Sequence, residues 1–204
     1  SEKIGAFDVD FIKMSHSIAG AVSMAIKCPV GTVVFTGDFK VDYTPVDGEL
    51  MDFQKLAELG KRGVLALLMD STNVERPGYT MSEKKVGETF NALFPRAKGR
   101  IIIAMFASNV HRIQQVVNSA QQYGRKICLT GRSMTNVSTV AMQLGELHSP
   151  DDMMISIDDL DRYPDDESVV ITPGSQGEQM SGLTRMAFSE HRKLDTRSSD
   201  MVVI

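Results

Sequence analysis

With 204 residues, 42% of them hydrophobic and 24% charged, the chain has the apolar content of a packed core and the size of one large or two small domains. No apolar run nears the ~20 residues of a membrane-spanning helix, and Ser1-Glu2-Lys3-Ile4-Gly5 lacks the layout of a signal peptide, so a cytoplasmic protein without a membrane partner is expected. A net charge of −4 excludes a blanket electrostatic grip on nucleic acid; any such contact has to be local, at the basic clusters 55–62, 96–100, 125–132 and 185–197.

Phe7-Asp8-Val9-Asp10-Phe11 alternates apolar and polar residues with the period of a half-buried strand, and reads as one edge of a sheet. Apolar segments 21–26 and 32–36 flank Cys28-Pro29-Val30-Gly31, whose Pro and Gly suit the turn of a hairpin. A short helix near 53–59, ended by Gly60, and a continuous apolar strand at 64–69 follow. To Asp70 the pattern is one of strands with antiparallel connections. The loop 72–78, with its Pro and Gly, then marks a boundary, so that residues 1–75 and 76–204 are expected to form separate domains.

Beyond it helices and strands alternate. Thr80 with Glu83 fits a capping box opening a helix whose Val86, Phe90 and Leu93 share a face. Strands are predicted at 101–106, 126–130, 168–172 and 201–204. Helix 109–123 carries the stripe Val110, Ile113, Val117 and Ala120 and has Gly124 at its end; a second helix sets Val137, Val140, Ala141 and Leu144 on one side and ends at Gly145; a third lies around 179–187. The acidic run 151–167 reads as a solvated surface loop. Strands separated by helices of this length need crossover connections, so an α/β fold with a Rossmann-like parallel sheet is predicted for the second half. Cys28 and Cys128 lie in or beside strand-like stretches and are expected as buried free thiols.

Three predicted strands are each followed at once by polar residues opening a helix: Ser108-Asn109-Val110-His111-Arg112, Gly131-Arg132-Ser133-Met134-Thr135-Asn136 and Gly174-Ser175-Gln176-Gly177-Glu178. In a parallel sheet these loops share the rim at the carboxyl ends of the strands, where open α/β sheets bind ligands. Free helix N–H groups and small glycines there favour phosphate; Arg112 and Arg132 add charge, and His111 a ring for a base. The alternative is that Ser108, Ser133 and Ser175 serve only as helix caps. The Gly-Ser-Gln-Gly loop lacks the ending of a Walker motif and the full dinucleotide fingerprint, which disfavours ATP and NAD. In the first half, His16 in a loop between strands, and Asp38 and Asp70 at strand ends, are positions that suit metal ligands as well as ordinary turns. Two ligands do not complete a catalytic zinc site, which takes three and a water.

In order along the chain, Ser15-His16-Ser17-Ile18, Phe35-Thr36-Gly37-Asp38-Phe39-Lys40, Asp70-Ser71-Thr72-Asn73, Arg76-Pro77-Gly78-Tyr79-Thr80, Phe106-Ala107-Ser108-Asn109-Val110-His111-Arg112-Ile113-Gln114-Gln115, Gly131-Arg132-Ser133-Met134 and Gly174-Ser175-Gln176-Gly177-Glu178 resemble the ribonuclease J type of the β-CASP family. The resemblance runs from near residue 5 to near residue 194. It implies a partial metallo-β-lactamase αββα domain over residues 1–75, interrupted by a β-CASP domain at 76–204, with RNA entering the cleft between them. It further implies two metal ions, zinc or else manganese or magnesium, with His16 binding one, Asp38 bridging both and Asp70 close by. The loops at Ser108, Asn109, His111 and Arg112, at Arg132 and Ser133, and at Gly174, Ser175, Gln176, Gly177 and Glu178 would face the RNA. Two such ions orient a water and the scissile phosphate and neutralise developing charge. The implied enzyme cuts RNA internally and from the 5′ end, prefers single strands with a 5′ monophosphate, and is a homo-oligomer. The family's His-x-His-x-Asp-His motif is absent from these residues, so an internal piece without cleavage activity of its own is expected. Two readings compete with it: a non-catalytic RNA- or phosphate-binding module using the second-half rim alone, and a Rossmann-like small-molecule enzyme.

Overall fold

In the computed structural model, which describes residues 1–204, the alternating segment does become a strand, but its apolar stripe points away from the packed helix. The first five strands are β1 (Glu2–Ile4), β2 (Phe7–Lys13), β3 (Val22–Cys28), β4 (Gly31–Phe35) and β5 (Ala66–Leu68), paired in that order. Every pairing is antiparallel except β4–β5, which is parallel and therefore needs the crossover that α1 (Phe53–Arg62) supplies. Helix α1 sets Leu59 and Leu56 on Ile12, Ala25 and Val34. Registers Phe11↔Met24 and Met24↔Phe35 put these three side chains in one row on the opposite face, joined there by Phe7 and Val22. Phe7, Phe11, Val22 and Phe35 are 43–48% exposed, so this sheet has one face covered by α1 and one apolar face left open.

Four expectations change here. The strand at Phe7 is not the edge, because Glu2–Ile4 adds β1 outside it. Helix α1 runs through Gly60 and stops at Arg62, where Gly63, with φ +95°, takes the conformation that ends it. The apolar run 64–69 forms only the three-residue β5, and Leu65, Leu67, Leu68 and Met69 are at least half exposed because β5 ends the sheet. Cys28 is only partly buried, and it donates to the Gly31 carbonyl; Cys28 and Cys128 are both free thiols. On the α1 side, Asp10 is buried and paired with Lys27 at 2.8 Å. The hydrogen bond from Lys27, with a further one from Ser1, holds the Asp10 carboxyl at about 2.

The chain divides into Ser1–Lys85 and Val86–Ile204, two residues inside α2 (Lys84–Leu93), so the 72–78 loop lies within the first unit. Thr80 takes no part in opening α2. Its first N–H groups are met by Ser82 Oγ, which accepts from Lys84, and by Asp42 Oδ2, which accepts from Glu83. The second unit contains β6 (Ile101–Ala104), α3 (Val110–Gln122), β7 (Lys126–Leu129), α4 (Arg132–Gln143), β8 (Met154–Ile155), β9 (Ser168–Thr172), α5 (Gly182–Ala187) and β10 (Met201–Val203). Its five strands pair in the order β10-β6-β9-β7-β8, all parallel, as the helix–strand alternation predicts. Ile101, Ile103, Ile127, Val169 and Ile171 pack with Phe90, Ile113, Val117 and Met134 on one face. On the other, Ile102, Cys128 and Val170 meet Leu160, Met186 and Leu194. Burial on both faces explains why these strands read as unbroken apolar runs. Burial also pushes the Cys128 thiol up to about 11.

The stripe expected on α4 is rotated: Met134, Ser138 and Ala141 are buried, while Val140 and Leu144 are exposed. The acidic run is not plain loop, since it contains β8 and two 3-10 turns, and its carboxylates pair with Lys126, Lys193 and Arg197. Two arginines of the basic clusters are structural. Arg100 donates from Nε and Nη2 to the two carboxylate oxygens of Asp200, and again from Nη2 to the Asp195 carbonyl. Arg125 is spent on the carbonyls of Ala97, Gly99 and Ser168. Both lie at the amino ends of β6 and β7, away from the carboxyl rim.

Arg100→Ala leaves the wholly buried Asp200 carboxylate without its ion-pair partner, only the Arg197 N–H still donating to it, and is expected to cost about 3–5 kcal/mol, read as a lower urea midpoint; leucine at both positions should recover most of that. The depressed Asp10 carboxyl contributes stability that is present above its unfolded value of about 4 and is lost as pH falls through about 2. Asp10→Asn is therefore expected to flatten the stability profile between these pH values, as measured by denaturant unfolding.

Candidate nucleic-acid interface

Strands β6, β9 and β7 are immediate neighbours and run the same way, so the loops after them leave one rim side by side. After β6, the Asn109 side chain caps α3 by accepting the Arg112 N–H at 3.1 Å. Ser108 is exposed beside it, and His111 and Arg112 are partly buried in the first turn. After β7, Gly131 occupies the capping position of α4, and no side chain bonds the free N–H groups there. Arg132 and Ser133 are exposed in that first turn. After β9, residues 174–177 form a turn closed by the Gly177 N–H on the Gly174 carbonyl. Ser175 is partly buried, and Gln176 and Gly177 are exposed. Helix α5 is capped by Ser181, which accepts from Thr184.

None of the three serines in the predicted loops is therefore a helix cap: Asn109, Gly131 and Ser181 hold those positions. The capping alternative fails at Ser108, Ser133 and Ser175 alike, and their hydroxyls remain on the rim. Two other residues expected to face RNA have local tasks, Asn109 as cap and Glu178 as acceptor for the Gln176 N–H at 3.2 Å. Glycine holds the loops close. A Cβ on Gly131, at φ +89°, would lie 3.0 Å from Pro173 Cγ. One on Gly174, at φ +127°, would lie 2.5 Å from Ser181 Oγ and 2.9 Å from Leu183 Cβ. Sequence reading assigned no separate role to Phe106, 47% exposed where β6 gives way to its loop; an apolar side chain just past a buried strand gives no signal of which way it turns.

In the first unit, β2, β4 and β5 all run in one direction, so their carboxyl ends share an edge, and these ends carry His16, Asp38 and Asp70. Buried Thr36 ties two of them: its N–H donates to the Leu68 carbonyl and its Oγ1 accepts the Asp70 N–H at 3.1 Å. The Lys40 N–H donates to the Ser15 carbonyl at 2.8 Å and draws in the third. Asp70 accepts from the Thr72 hydroxyl at 2.7 Å and the Thr72 N–H at 3.0 Å. These bonds, then the Phe39 N–H and the charge of His16, hold its carboxyl below the ordinary aspartate range. Asp38 is exposed at the same edge. Sequence reading missed Asp42, buried four residues on, because one aspartate in a polar loop looks like any other. Burial opposes its charge, but bonds from Thr44, Ser82 and Glu83 outweigh that and keep its carboxyl low.

A metal ion at this edge would need three or more donors within reach of one point, and no group of three His, Cys, Asp or Glu side chains meets that condition. The loops of His16, Asp38 and Asp70 come together, yet Asp70 already serves Thr72 and Phe39. The residues of this chain do not by themselves fit a metal centre.

A doubly covered parallel sheet with a polar rim is the architecture of a β-CASP domain, and residues 98–204 match the family model described as ribonuclease J, beta-CASP domain. The chain belongs to the ribonuclease J family. It is 43% identical over 198 residues to Ribonuclease J of Synechocystis (97% of this chain, 31% of the relative) and 46% identical over 197 residues to Ribonuclease J2 of Bacillus subtilis (96% and 35%). Ribonuclease J of Thermus thermophilus is 41% identical over 198 residues (97% and 34%). The chain thus spans about a third of the length of these curated relatives. A solved structure of a protein of unknown function from Enterococcus faecalis V583 shares the fold, with a TM-score of 0.59 at 16% identity over 86% of this chain and 43% of that one.

Gly174→Ala forces a Cβ into Ser181 and Leu183 at a backbone angle that alanine rarely takes, so the loop must move. Destabilisation of about 1–3 kcal/mol is expected in thermal unfolding, whereas Gly177→Ala, with open space around it, should cost less.

Proposed function

We propose that this chain is the RNA-holding part of a metal-dependent ribonuclease that hydrolyses phosphodiester bonds in RNA processing and decay, cutting both internally and from the 5′ end. The observation that carries the reading is the rim at β6, β9 and β7, with the hydroxyls of Ser108, Ser133 and Ser175 left uncommitted by capping and Arg132 exposed among them. Hydroxyls, open N–H groups and one cation suit the phosphates of a single strand, and His111 and Phe106 suit its bases. This rim takes single-stranded RNA and favours a 5′ monophosphate. At the edge of the first unit, His16 and Asp38 serve as ligands to zinc, or to manganese or magnesium, whose remaining ligands come from parts of the whole protein beyond these residues. Residues 1–75 belong to the metallo-β-lactamase domain and 76–204 to the β-CASP insertion; the whole protein is a cytoplasmic homo-oligomer.

A second reading, an RNA-binding module without cleavage, has one observation in its favour: no three candidate ligands converge within this chain. The two readings part in the whole protein. Asp38→Ala there is expected to abolish cleavage of 5′-monophosphorylated RNA while leaving its binding in place, and near-normal cleavage would defeat the ribonuclease reading of this edge. Arg132→Ala is expected to weaken RNA binding and to lower the slope of log affinity against log salt by about 1, as measured by fluorescence anisotropy over a salt series.

A further inference from the structure

The first unit carries an aromatic pair at its surface. Tyr43 stacks on Phe53 with ring centroids 5.5 Å apart and planes within 15°, yet Tyr43 is 74% exposed. Its backbone is pinned on both sides. Asp42, buried, accepts the Thr44 N–H at 2.9 Å, and the Ser82 hydroxyl lies within reach of both Asp42 Oδ2 (2.8 Å) and the Thr44 carbonyl (2.9 Å). Phe53 is fixed as the first residue of α1, next to Asp52, whose N–H donates to the Lys13 carbonyl at the end of β2. The pair therefore stands at the edge that carries His16 and Asp38. Tyr43 lies five positions after Asp38, a span of at most about 18 Å, and Lys40 lies between them close enough to lower the Asp42 carboxyl. A rigid ring with one face backed by another ring and the other face open, near a lysine, matches the way single-stranded nucleic acid is held: bases stack on aromatics while a cation meets the backbone.

We propose that Tyr43, backed by Phe53, is a stacking platform for one nucleobase of single-stranded RNA, a few nucleotides from the phosphate presented to Asp38. The inference rests on the ribonuclease reading above and adds to it a subsite on the first unit, separate from the β6, β9 and β7 rim. Stacking does not depend on base identity, so the platform holds any base and sets where along the strand cleavage falls.

The test uses the whole protein with Asp38→Ala, to prevent cleavage, and short single-stranded RNAs carrying either one abasic nucleotide or one 2-aminopurine moved stepwise along the strand. Tyr43→Ala is expected to weaken binding about tenfold, and Tyr43→Phe, which keeps the ring, to leave it unchanged. At one position only, the abasic nucleotide should cost the Tyr43-containing protein the same factor and the Tyr43→Ala protein nothing more; 2-aminopurine at that position should be quenched only when the ring is present. Undiminished binding by Tyr43→Ala overturns the inference. So does an abasic cost that is equal in both proteins at every position, or a loss in Tyr43→Ala that no abasic position reproduces, since the ring then supports the fold. If the protein with Tyr43 and Asp38 intact neither binds nor cuts single-stranded RNA, the ribonuclease reading itself has failed.

Discussion

The parallel pairing of β6, β9 and β7 is the constraint on which the rest of the second unit depends. Because these strands are neighbours and point the same way, three loops that are far apart in sequence, near residues 108, 132 and 175, emerge side by side. The pairing requires crossovers; α3 and α4 cover one face of the sheet, and Leu160, Met186 of α5 and Leu194 cover the other, so its strands are apolar on both faces. Charge is excluded from that interior except where it is fully answered. Arg100 and Arg125 satisfy this condition through carboxylate and carbonyl acceptors at the amino ends of the strands, which leaves the carboxyl rim to Arg132 and the serines.

Much of this was legible in the sequence, for a physical reason. Residues 101–104 and 169–171 are apolar without interruption, a pattern that a half-solvated strand does not tolerate, and each is joined to the next by a helix-length segment. Helix α3 read cleanly because its apolar spacing and Gly124 agree with one another, although its cap is Asn109 and not Ser108. Errors collected where tertiary partners overrule local signals. The Thr80 capping box lost to Asp42, which lies about forty residues upstream and so is invisible to any local rule. The α4 stripe was rotated because exposed Val140 and Leu144 are as apolar as buried Met134. Ser108, Ser133 and Ser175 look like caps in sequence, but Asn109, Gly131 and Ser181 hold those positions.

The first unit reads differently. Its edge gathers His16, Asp38 and Asp70 through Thr36 and Lys40, a convergence that spacing alone gave little reason to expect. Its sheet keeps one apolar face open, with phenylalanines at 7, 11 and 35 all close to half exposed. The chain spans about a third of the length of the Synechocystis and Bacillus subtilis relatives, and an apolar face of this size left open is a surface suited to burial against further protein.

The central claim is that RNA lies along the carboxyl rim of the β-CASP sheet, and photo-cross-linking tests it most directly. Single-stranded RNA with a 5′ monophosphate and iodouracil at successive positions would be irradiated on the whole protein and the attached peptides identified by mass spectrometry. Attachment within 106–112, 131–136 and 174–178 is the result the account predicts. Cross-links confined to the amino ends of the strands around Arg100 and Arg125, or to the acidic segment 151–167, would contradict it.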